Sequence, residues 1–348
     1  MNSKTKVELS VIACTRNRAR QLATLFQCLG SQKNIENLNW EIIIVDNNSS
    51  DNTKEVAYAF CEGSNLKVNY VFEEKVGLSY ARNSGILASK GTYLLFIDDD
   101  VLIPKEFFSN ISFGVKEFPE FHIFGFRVLP DWQGISKPPF WLNFKKPFGL
   151  IQSFLPVHDL GKETLQYPNR YAKNPIGACF LVKKEVFEKF SFREDLGAGS
   201  QSGLCEDTEF FWYGMLNDFK ILYWPYAALY HPVDSERLTI SYLHKWYFNL
   251  GKSLYLVKNT GRIFNLKKRQ MLGFEGFIVN KLSPIFENIF LKTKIFNVSI
   301  FLWMKLFLLI LLLPFTILLF LIKRPFYLMT LATKALGEVK QAMLSHEP

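Results

Sequence analysis

Cysteine is sparse in this sequence, and its spacing is irregular. Five cysteines occur among 348 residues, and no two of them form a Cys-x-x-Cys pair. This spacing indicates neither a zinc site nor a disulfide framework, and it fits a reducing compartment. The N-terminal residues also lack the apolar run of a secretory signal, so we expect no signal peptide.

Signals for nucleic-acid binding are missing as well. The formal net charge is +9, but the chain has no Arg/Lys-rich tail and no aromatic RNA-binding signature. We therefore expect no nucleic-acid partner and interpret the basic surface as one that meets anionic lipid or nucleotide phosphates. With 49% hydrophobic residues the chain is too apolar to be disordered, and its length suits one large or two medium domains.

The first third of the chain alternates between strand and helix patterns. Apolar, β-branched runs predict strands, and the stretches between them predict helices. This order predicts a parallel sheet covered by helices on both faces. The predicted strands are 8–14, 41–46, 66–73 and 92–98, and the predicted helices are 18–29, a helix that ends at residue 60, and 79–89.

The chain is less regular between residues 100 and 258. Residues 127–173 combine prolines with aromatic side chains such as Trp141 and Phe144 and show no clear period, which is typical of a functional or mobile region. Beyond it the patterns predict strands and helices again. The predicted strands are 176–183, 220–224 and 227–231, and the predicted helices are 205–216 and 236–258.

Three consecutive carboxylates, Asp98, Asp99 and Asp100, follow the fourth predicted strand. Like charges at a strand end repel one another, and a cation or a cation-bound ligand would offset that repulsion. Oxygen ligands of this kind suit Mg²⁺ or Mn²⁺. Pro104 suits the first turn of a helix, so the acids lie on a strand-to-helix turn, where open α/β sheets bind ligands. The alternative is a solvated acidic turn that caps the next helix.

One long apolar run, 298–322, lies near the C-terminus. It exceeds the roughly 20 residues that cross a bilayer core. Basic residues flank both ends, so charge asymmetry sets no orientation. Pro314 is compatible with a kink or with the apex of a re-entrant hairpin. The run predicts membrane attachment by spanning, re-entering or lying on the bilayer, and the alternative is a buried helix of a soluble core.

Seven pieces of the sequence occur in an order that matches one known family. They are SVIACTRNRA, IIIVDNNSSDNT, GLSYARNSGI, FIDDDV, PIGACFLVKKEVF, LCEDTEF and YHPVDSERLTISYLHKWYFNLGKS. On these residues, over roughly 9–252, the chain resembles family 2 glycosyltransferases of the GT-A fold, of a membrane-associated bacterial type. The resemblance implies an α/β, Rossmann-like nucleotide-diphospho-sugar transferase fold. It also implies transfer of a sugar from a nucleotide diphosphate with inversion at the anomeric carbon.

The resemblance and the apolar run together predict three parts. Residues 1–258 form the catalytic domain, with a nucleotide-binding half at 1–125 and an acceptor-binding half at 126–258. Residues 259–297 form a linker or amphipathic region, and 298–348 form a membrane-associated helical region. We therefore expect attachment to the inner or plasma membrane, with lipids as partners and the catalytic domain in the cytoplasm. No oligomeric state is predicted.

The resemblance implies roles for individual residues. Asp98, Asp100 and His231 would hold Mn²⁺ or Mg²⁺, which neutralises the leaving diphosphate. Asp207 would be the general base, with its neighbour Glu206 as the alternative. A nucleotide-diphosphate sugar would be the donor. The residues implied in donor binding are Thr15, Arg16, Asn17, Asp46, Gly77, Arg82, Asp98, Asp99, Gly177 and Arg237.

Simpler structural roles remain open for several of these residues. Asp46 could cap the following helix, although Ser50 or Asp51 could do so instead. Arg82 could pair with a neighbouring carboxylate instead of facing a diphosphate. Gly177 could serve ordinary strand packing.

The chain departs from the family's processive polysaccharide synthases at one motif. Those enzymes carry Gln-x-x-Arg-Trp after the base, whereas residues 242–246 read Tyr-Leu-His-Lys-Trp. This departure predicts one transfer per acceptor. We expect an enzyme that moves one sugar to a hydroxyl of a lipid-linked or glycan acceptor in cell-surface polysaccharide synthesis. The alternatives are a polyprenyl-phosphate sugar synthase and a non-catalytic, membrane-bound nucleotide-sugar binding or scaffold protein.

Overall fold

A computed structural model describes most of the predicted catalytic domain. The described residues are 7–135, 154–169, 174–200, 203–260, 262–263, 333–338 and 341. The predicted apolar run at 298–322 lies outside them, as do Trp141 and Phe144 of the proline-rich region. Within the described ranges, no helix has the length and apolar character needed to cross a membrane.

The first half of the domain has the predicted alternation. Its strands β1, β2, β3 and β4 are all parallel, and β1 lies between β2 and β4. The prediction of a parallel sheet is therefore confirmed for this half. The elements are β1 Leu9–Thr15, α1 Ala19–Gly30, β2 Trp40–Asp46, α2 Thr53–Gly63, β3 Val68–Phe72, α3 Leu78–Ala88, β4 Tyr93–Asp98 and α4 Phe107–Glu117.

The second half completes the sheet in a mixed arrangement. Its elements are β5 Ile123–Asp131, β6 Leu165–Tyr167, β7 Cys179–Lys183, α5 Glu206–Leu216, β8 Ile221–Pro232 and α6 Ile240–Asn259. The eight strands lie in the order β3-β2-β1-β4-β7-β5-β8-β6. Strand β7 is antiparallel to both β4 and β5, and β6 is antiparallel to β8. The sheet of the domain as a whole is therefore mixed.

Helices bury both faces of this sheet. Neighbouring residues on one strand, such as Val11 and Ile12, point to opposite faces and are exposed by 0% and 1%. Val11 packs in a core formed with α1, α2 and α4, and Ile12 packs in a second core formed with α3 and α5. Burial on both faces explains why these strands are continuously apolar instead of alternating.

Two predictions of strand bounds need correction. The two short strands predicted near 220–231 are one strand, β8, whose register shifts opposite Phe126 and Arg127. Pro225 lies in that irregular stretch, where a proline is tolerated because no ladder hydrogen bond is lost. The strand predicted at 176–183 begins only at Cys179, because Gly177 precedes it in a turn.

The region predicted to be irregular also contains sheet structure. Its first residues, from Arg127 to Asp131, are the second half of β5, and β6 lies further along it. The long helix predicted at 236–258 is a 3₁₀ turn, Ser235–Leu238, followed by α6.

Helix α6 closes the described part of the domain. Near its start it packs against Phe154 and Val233, and near its end it packs against Leu196 and Cys205. A short helical segment at 333–338 lies against α6, where Thr333 Oγ1 is 2.9 Å from His244 Nδ1.

Candidate active site

The three acids lie where β4 ends, in the centre of the sheet. One ligand atom from each of Asp98, Asp100 and His231 lies within 4.8 Å of the others. Asp98 is the last residue of β4, and His231 is the penultimate residue of β8, so two strands converge on this point. The structure therefore brings together the three residues predicted to hold a metal.

His231 and Asp100 face each other through two hydrogen-bond acceptor atoms. The Nδ1 atom of His231 is 2.9 Å from the carbonyl oxygen of Pro232, an acceptor, so the ring proton is assigned to Nδ1. Its Nε2 atom is then an acceptor and lies 3.3 Å from Oδ1 of Asp100. That Oδ1 atom is buried and has no hydrogen-bond partner among the described residues. A divalent cation would satisfy both lone pairs, so these residues fit a metal ion.

The protonation of the histidine agrees with this arrangement. His231 is 4% exposed, and burial lowers its pKa, although the neighbouring Asp100 carboxylate acts in the opposite direction. The imidazole is therefore neutral near neutral pH, the form in which it binds a metal.

Arg18 offsets much of the charge repulsion in the triplet. Its Nη1 atom lies 2.9 Å from Asp99 Oδ1 and 2.8 Å from Asp100 Oδ2. Asp99 is buried, and burial raises its pKa while Arg18 acts to lower it. Repulsion within the triplet is therefore relieved in part by the protein's own Arg18, and not by an external cation alone. Within the triplet, the acceptor atom that still lacks a hydrogen-bond partner among the described residues is Asp100 Oδ1, beside His231.

Arg82 lies beneath the acids as a buried cation. Its guanidinium is 3.0 Å from Glu206 Oε1 and 3.8 Å from Asp98 Oδ1. It also donates to the carbonyl of Gly177 at 3.0 Å. Only 2% of the residue is exposed. The structure thus shows the carboxylate pairing that the sequence left open for Arg82.

Glu206 and Asp207 begin α5 but have different surroundings. Glu206 is buried against Arg82, and burial, followed by the charge of Asp207, raises its pKa. Asp207 is half-buried, and its Oδ2 atom accepts a 2.7 Å hydrogen bond from the N–H of Gly177. Its Oδ1 atom accepts from the N–H of Thr208 at 2.6 Å. Asp207 has no ion pair to a described residue, so its carboxylate is the one that can meet an incoming group.

Gly177 fits tightly between these side chains. A Cβ atom at this position would lie 3.1 Å from both Arg82 Nη2 and Asp207 Oδ2. Its peptide groups are hydrogen-bonded to both of those residues. Close approach therefore favours glycine here, and Gly177 lies in a turn before β7 and not within the strand.

Two loops meet beside the ends of β1 and β2. Asn17 adopts a left-handed conformation with φ 53°, and its Oδ1 atom accepts from the N–H of Ser50 at 2.7 Å. Its own N–H donates to Ser49 Oγ at 2.9 Å. Thr15 is buried just before it, and Arg16 is exposed with no ion pair to a described residue. These contacts fix the loop that bears the three predicted donor residues 15–17.

Asp46 does not cap α2. Its Oδ1 atom accepts from the N–H of Ser49 at 2.9 Å, and its Oδ2 atom accepts from the hydroxyl of Tyr70 at 2.8 Å. Asp51 bonds the N–H of Thr53 at the helix start instead. Tyr70 and Asp46 line a cavity of about 460 Å³ beside α2. Tyr70 could not be found from the sequence, because its contact with Asp46 joins neighbouring strands.

Gly77 directly precedes α3, and Arg237 lies in the turn that precedes α6. Gly77 has φ 152°, and its N–H donates to Asn47 Oδ1 at 2.8 Å. Arg237 lies on the 3₁₀ turn before α6, with Nε 3.8 Å from Asp234 Oδ2. Its charge acts to lower the pKa of His231, after the larger effect of burial, so it lies within electrostatic reach of the metal-binding residues.

Comparison with known protein families decides the classification. The family model described as glycosyl transferase family 2 matches residues 10–190, just over half of the chain. The chain belongs to glycosyl transferase family 2. The expected family is therefore confirmed, and Asp98, Arg82 and Gly177 all lie within the matched residues.

The family 2 chain matches its curated relatives over part of their length. It is 26% identical over 204 residues to poly-beta-1,6-N-acetyl-D-glucosamine synthase of Staphylococcus epidermidis, covering 59% of this chain and 45% of that protein. It is 26% identical over 182 residues to dolichol-phosphate mannosyltransferase of Pyrococcus furiosus, covering 52% of this chain and 48% of that protein. The chain thus spans about half the length of these relatives.

A solved structure supports the fold. The mannosyltransferase PcManGT from Pyrobaculum calidifontis, in complex with GDP-Man and Mn²⁺, matches with a TM-score of 0.58 at 14% identity. The match covers 99% of this chain and 89% of that chain. Together with family membership, it confirms an α/β, Rossmann-like GT-A fold.

Arg18 is the main site residue of this family 2 chain to which the sequence assigned no role. It lies in the first matching piece, one residue after Asn17, so a basic residue near the acids was visible. The sequence could not show which of Arg16, Arg18 and Arg20 turns toward the triplet. The structure selects Arg18.

Proposed function

We propose that the protein transfers one sugar from a nucleotide-diphosphate sugar to a hydroxyl group, with inversion at the anomeric carbon. The single observation that carries this proposal is the environment of the Asp207 carboxylate. It is a half-buried carboxylate without an ion pair to a described residue, and it is held by the N–H of Gly177 beside the acids that end β4. An inverting transfer needs a base in this position, opposite the leaving group.

Asp207 would accept the proton of the attacking hydroxyl. Its Oδ1 atom accepts from the N–H and the hydroxyl of Thr208, and its Oδ2 atom accepts from the N–H of Gly177. These bonds fix the orientation of the carboxylate and leave one lone pair of Oδ2 unused. Glu206 is less suited, because Arg82 holds it in the interior. The proton moves from the acceptor oxygen to Asp207 while that oxygen forms the new bond to the anomeric carbon. The bond from that carbon to the diphosphate oxygen breaks, and the diphosphate leaves with the electron pair.

A divalent metal would be held by Asp98, Asp100 and His231. When bound there, it would supply positive charge that stabilises the diphosphate as it leaves. The chemistry of the donor set, two carboxylates and a neutral imidazole, suits Mn²⁺ or Mg²⁺. The similar fold of PcManGT, solved with GDP-Man and Mn²⁺, supports a metal and a nucleotide sugar as ligands.

The remaining donor contacts are proposed from position. The loop at residues 15–17 and Asp46 lie at the ends of β1 and β2, where this class of sheet binds nucleotides. Among the arginines predicted to bind the donor, Arg16 and Arg237 are the ones proposed to contact phosphate. Arg82 is buried against Glu206, whereas Arg237 has a 3.8 Å contact with the exposed Asp234. Arg82 and Asp99 would act indirectly, by holding Asp98, Glu206 and Arg18 in place.

The reaction can be tested directly. Purified protein with Mn²⁺ would be screened against nucleotide sugars by thermal shift, because a ligand at a hundred times its dissociation constant stabilises by about 2.7 kcal/mol. The hit would then be tested for donor hydrolysis and transfer, with the anomeric configuration of the product assigned by NMR. A product that retains the donor's configuration, or a protein that binds donors but never consumes them, would contradict the proposal.

A second candidate is a polyprenyl-phosphate sugar synthase. The similarity to the Pyrococcus furiosus dolichol-phosphate mannosyltransferase favours it. A phosphate acceptor is already ionised and needs no base, so the Asp207→Asn variant separates the two candidates. Retained turnover on a polyprenyl phosphate would favour the second candidate, and near-total loss on a hydroxyl acceptor would favour the first.

We further propose that the protein works at the cytoplasmic face of a bacterial inner or plasma membrane and acts in cell-surface polysaccharide synthesis. The support is the apolar run 298–322 in the sequence. Deletion of 293–332 should move the protein from the membrane fraction to the soluble fraction while nucleotide binding persists. If the deleted protein still sediments with membranes after a high-salt wash, another segment anchors it.

A further inference from the structure

Helix α6 carries a glycine in its interior, at Gly251. Glycine weakens a helix relative to alanine, so an interior glycine needs a reason in the packing. A Cβ atom at Gly251 would lie 1.8 Å from the carbonyl oxygen of Lys334 and 3.1 Å from the N atom of Glu338. The backbone of the segment 333–338 therefore occupies the space that a side chain would take.

The contact is reciprocal. A Cβ atom at Gly337 would lie 1.9 Å from the carbonyl oxygen of Phe248 and 3.1 Å from the N atom of Lys252. Both obstacles are main-chain atoms, which cannot rotate away as a side chain can. Each helix thus presents a glycine where the backbone of the other passes, and neither position accepts a larger residue while the contact exists.

Polar and buried contacts extend the crossing. His244 of α6 bonds Thr333 at 2.9 Å, and Lys334 and Glu338 are 6% and 8% exposed. The positive charge of Lys334 acts to lower the pKa of Cys205, against the larger effect of burial. Cys205 directly precedes Glu206 and Asp207, so Lys334 lies within electrostatic reach of the start of α5, which bears the proposed base.

The chain is also fixed where it leaves the domain, just before residue 264. Arg262 forms two bonds of 2.8 and 2.7 Å with Glu209 of α5, whose side chain is 0% exposed. It also donates to the carbonyl of Ser191 at 2.9 Å. Ile263 packs in the apolar cluster at the end of α6. Both ends of 264–332 are therefore held on the same folded body.

We propose that residues 333–338 are an integral part of the catalytic domain, docked through the Gly251–Gly337 crossing, and that the chain leaves this domain at 263 and returns to it at 333. It follows that 264–332 begins and ends on the same side of any bilayer it meets. The docking does not depend on the proposed function, whereas the statement about the bilayer rests on the proposed membrane attachment. A single passage across a membrane is incompatible with this return.

A cross-link tests the docking in the full-length protein. His244→Cys with Thr333→Cys, under mild oxidation, should give a disulfide between these positions, identified by mass spectrometry of the joined peptides. The Gly251→Ala or Gly337→Ala change in that background should abolish it. Gly63→Ala is the matched control, because nothing lies within 4 Å of a Cβ atom there, and it should leave the disulfide unchanged.

Two results would overturn the docking: no disulfide in the parent pair, or a disulfide that survives both glycine changes. Gly337→Ala also guards against misfolding of α6, because Gly337 lies on the docked segment and not on α6 itself. Equal donor-induced thermal shifts in parent and variant would show that the domain is intact.

Protease access tests the return across the bilayer. An epitope at the N-terminus and one at the C-terminus should both be digested in inverted membrane vesicles and both be protected in intact spheroplasts. If one epitope were digested only in inverted vesicles and the other only in spheroplasts, the two termini would lie on opposite sides, which would contradict the proposed return of the chain. If the protein is not in the membrane fraction while the disulfide still forms, the membrane attachment fails and the docking stands.

Discussion

The main-chain N–H of Gly177 donates a 2.7 Å hydrogen bond to Oδ2 of Asp207. The carbonyl of Gly177 accepts from Arg82, which also lies 3.8 Å from Asp98. One turn of backbone therefore connects the acids at the end of β4 with the carboxylate at the start of α5. The relative position of the proposed metal-binding residues and the proposed base is set by this connection.

Replacing Asp207 by Asn should lower kcat and leave donor affinity almost unchanged. The amide keeps the shape and can still accept from Gly177, but it cannot take a proton, and loss of a general base costs about 10²–10⁴-fold in rate. Steady-state kinetics on a hydroxyl acceptor and donor calorimetry would measure the two effects. Asp218→Asn, an exposed acid just beyond the opposite end of α5 from Asp207, is the control. An inactive Glu206→Gln beside an active Asp207→Asn would assign the base to the neighbour.

Gly177→Ala should reduce turnover more than donor binding. The added methyl group would press on Arg82 and Asp207 at 3.1 Å and so displace the base. Misplacement of a reacting group by about 1 Å can cost about 10²-fold in rate. Gly63→Ala is the control, since a Cβ atom there meets nothing within 4 Å. Unchanged kcat in Gly177→Ala would show that the turn does not position Asp207.

Loss of a metal-binding side chain should weaken Mn²⁺ binding itself, not only activity. Asp100→Asn and His231→Gln each remove one of the two acceptors that face each other at 3.3 Å. Electron paramagnetic resonance of free Mn²⁺ would report the affinity without donor or acceptor. Calorimetry of the nucleotide sugar with and without Mn²⁺ would report the effect on donor binding. Wild-type Mn²⁺ affinity in both variants would remove these residues from the metal site.

Mn²⁺ should stabilise the protein more strongly as the pH rises from about 5 to 8, because bound carboxylates must be ionised. Burial raises the pKa of Asp98 well above its ordinary value, with Arg82 opposing and Asp99 and Asp100 adding to the rise. Without metal, protonation of the buried Asp98 stabilises the fold. This stabilisation is fully present below the ordinary carboxylate pKa and is lost as the pH rises through the raised pKa of Asp98. Melting temperatures across this range would test both trends, and Asp100→Asn should flatten the Mn²⁺ effect.

Arg82→Gln should destabilise the fold by about 3–5 kcal/mol, because it leaves Glu206 buried without its cation. Raising the pH should increase this loss, since Glu206 then ionises. Denaturant unfolding would measure it, with the exposed Arg20→Gln as control. A loss equal to that of the control would mean that Glu206 is protonated in the native protein, consistent with its raised pKa.

The sequence predicted well where local pattern and position agree. The strands that end at Thr15, Asp46 and Asp98 are continuous apolar runs, and the side chains that follow them had to meet at one edge of a parallel sheet. His231 was harder, because its strand is interrupted by Pro225. The family resemblance placed it beside Asp98 and Asp100, and the structure has it there.

Other features could not be read from pattern. The antiparallel direction of β7 depends on pairings of Phe180 with Phe96 and with Gly125, residues far apart in sequence. Strand β5 contains Gly125 and ends near Pro130, both of which weaken a strand pattern. The choice of Arg18 as partner of Asp99 depends on a side-chain direction that no periodicity encodes.

The position of β7 also bears on how the chain folds as it is synthesised. Strand β4, which carries the acids, can pair with β1 early, because β1 precedes it. Its other edge is covered only by β7, roughly eighty residues later, as the pairing of Phe96 with Phe180 shows. Late closure of such non-local pairs slows folding and leaves an apolar strand edge unpaired meanwhile. During translation, this edge is therefore where a nascent chain of this protein would be most exposed to aggregation or chaperone binding.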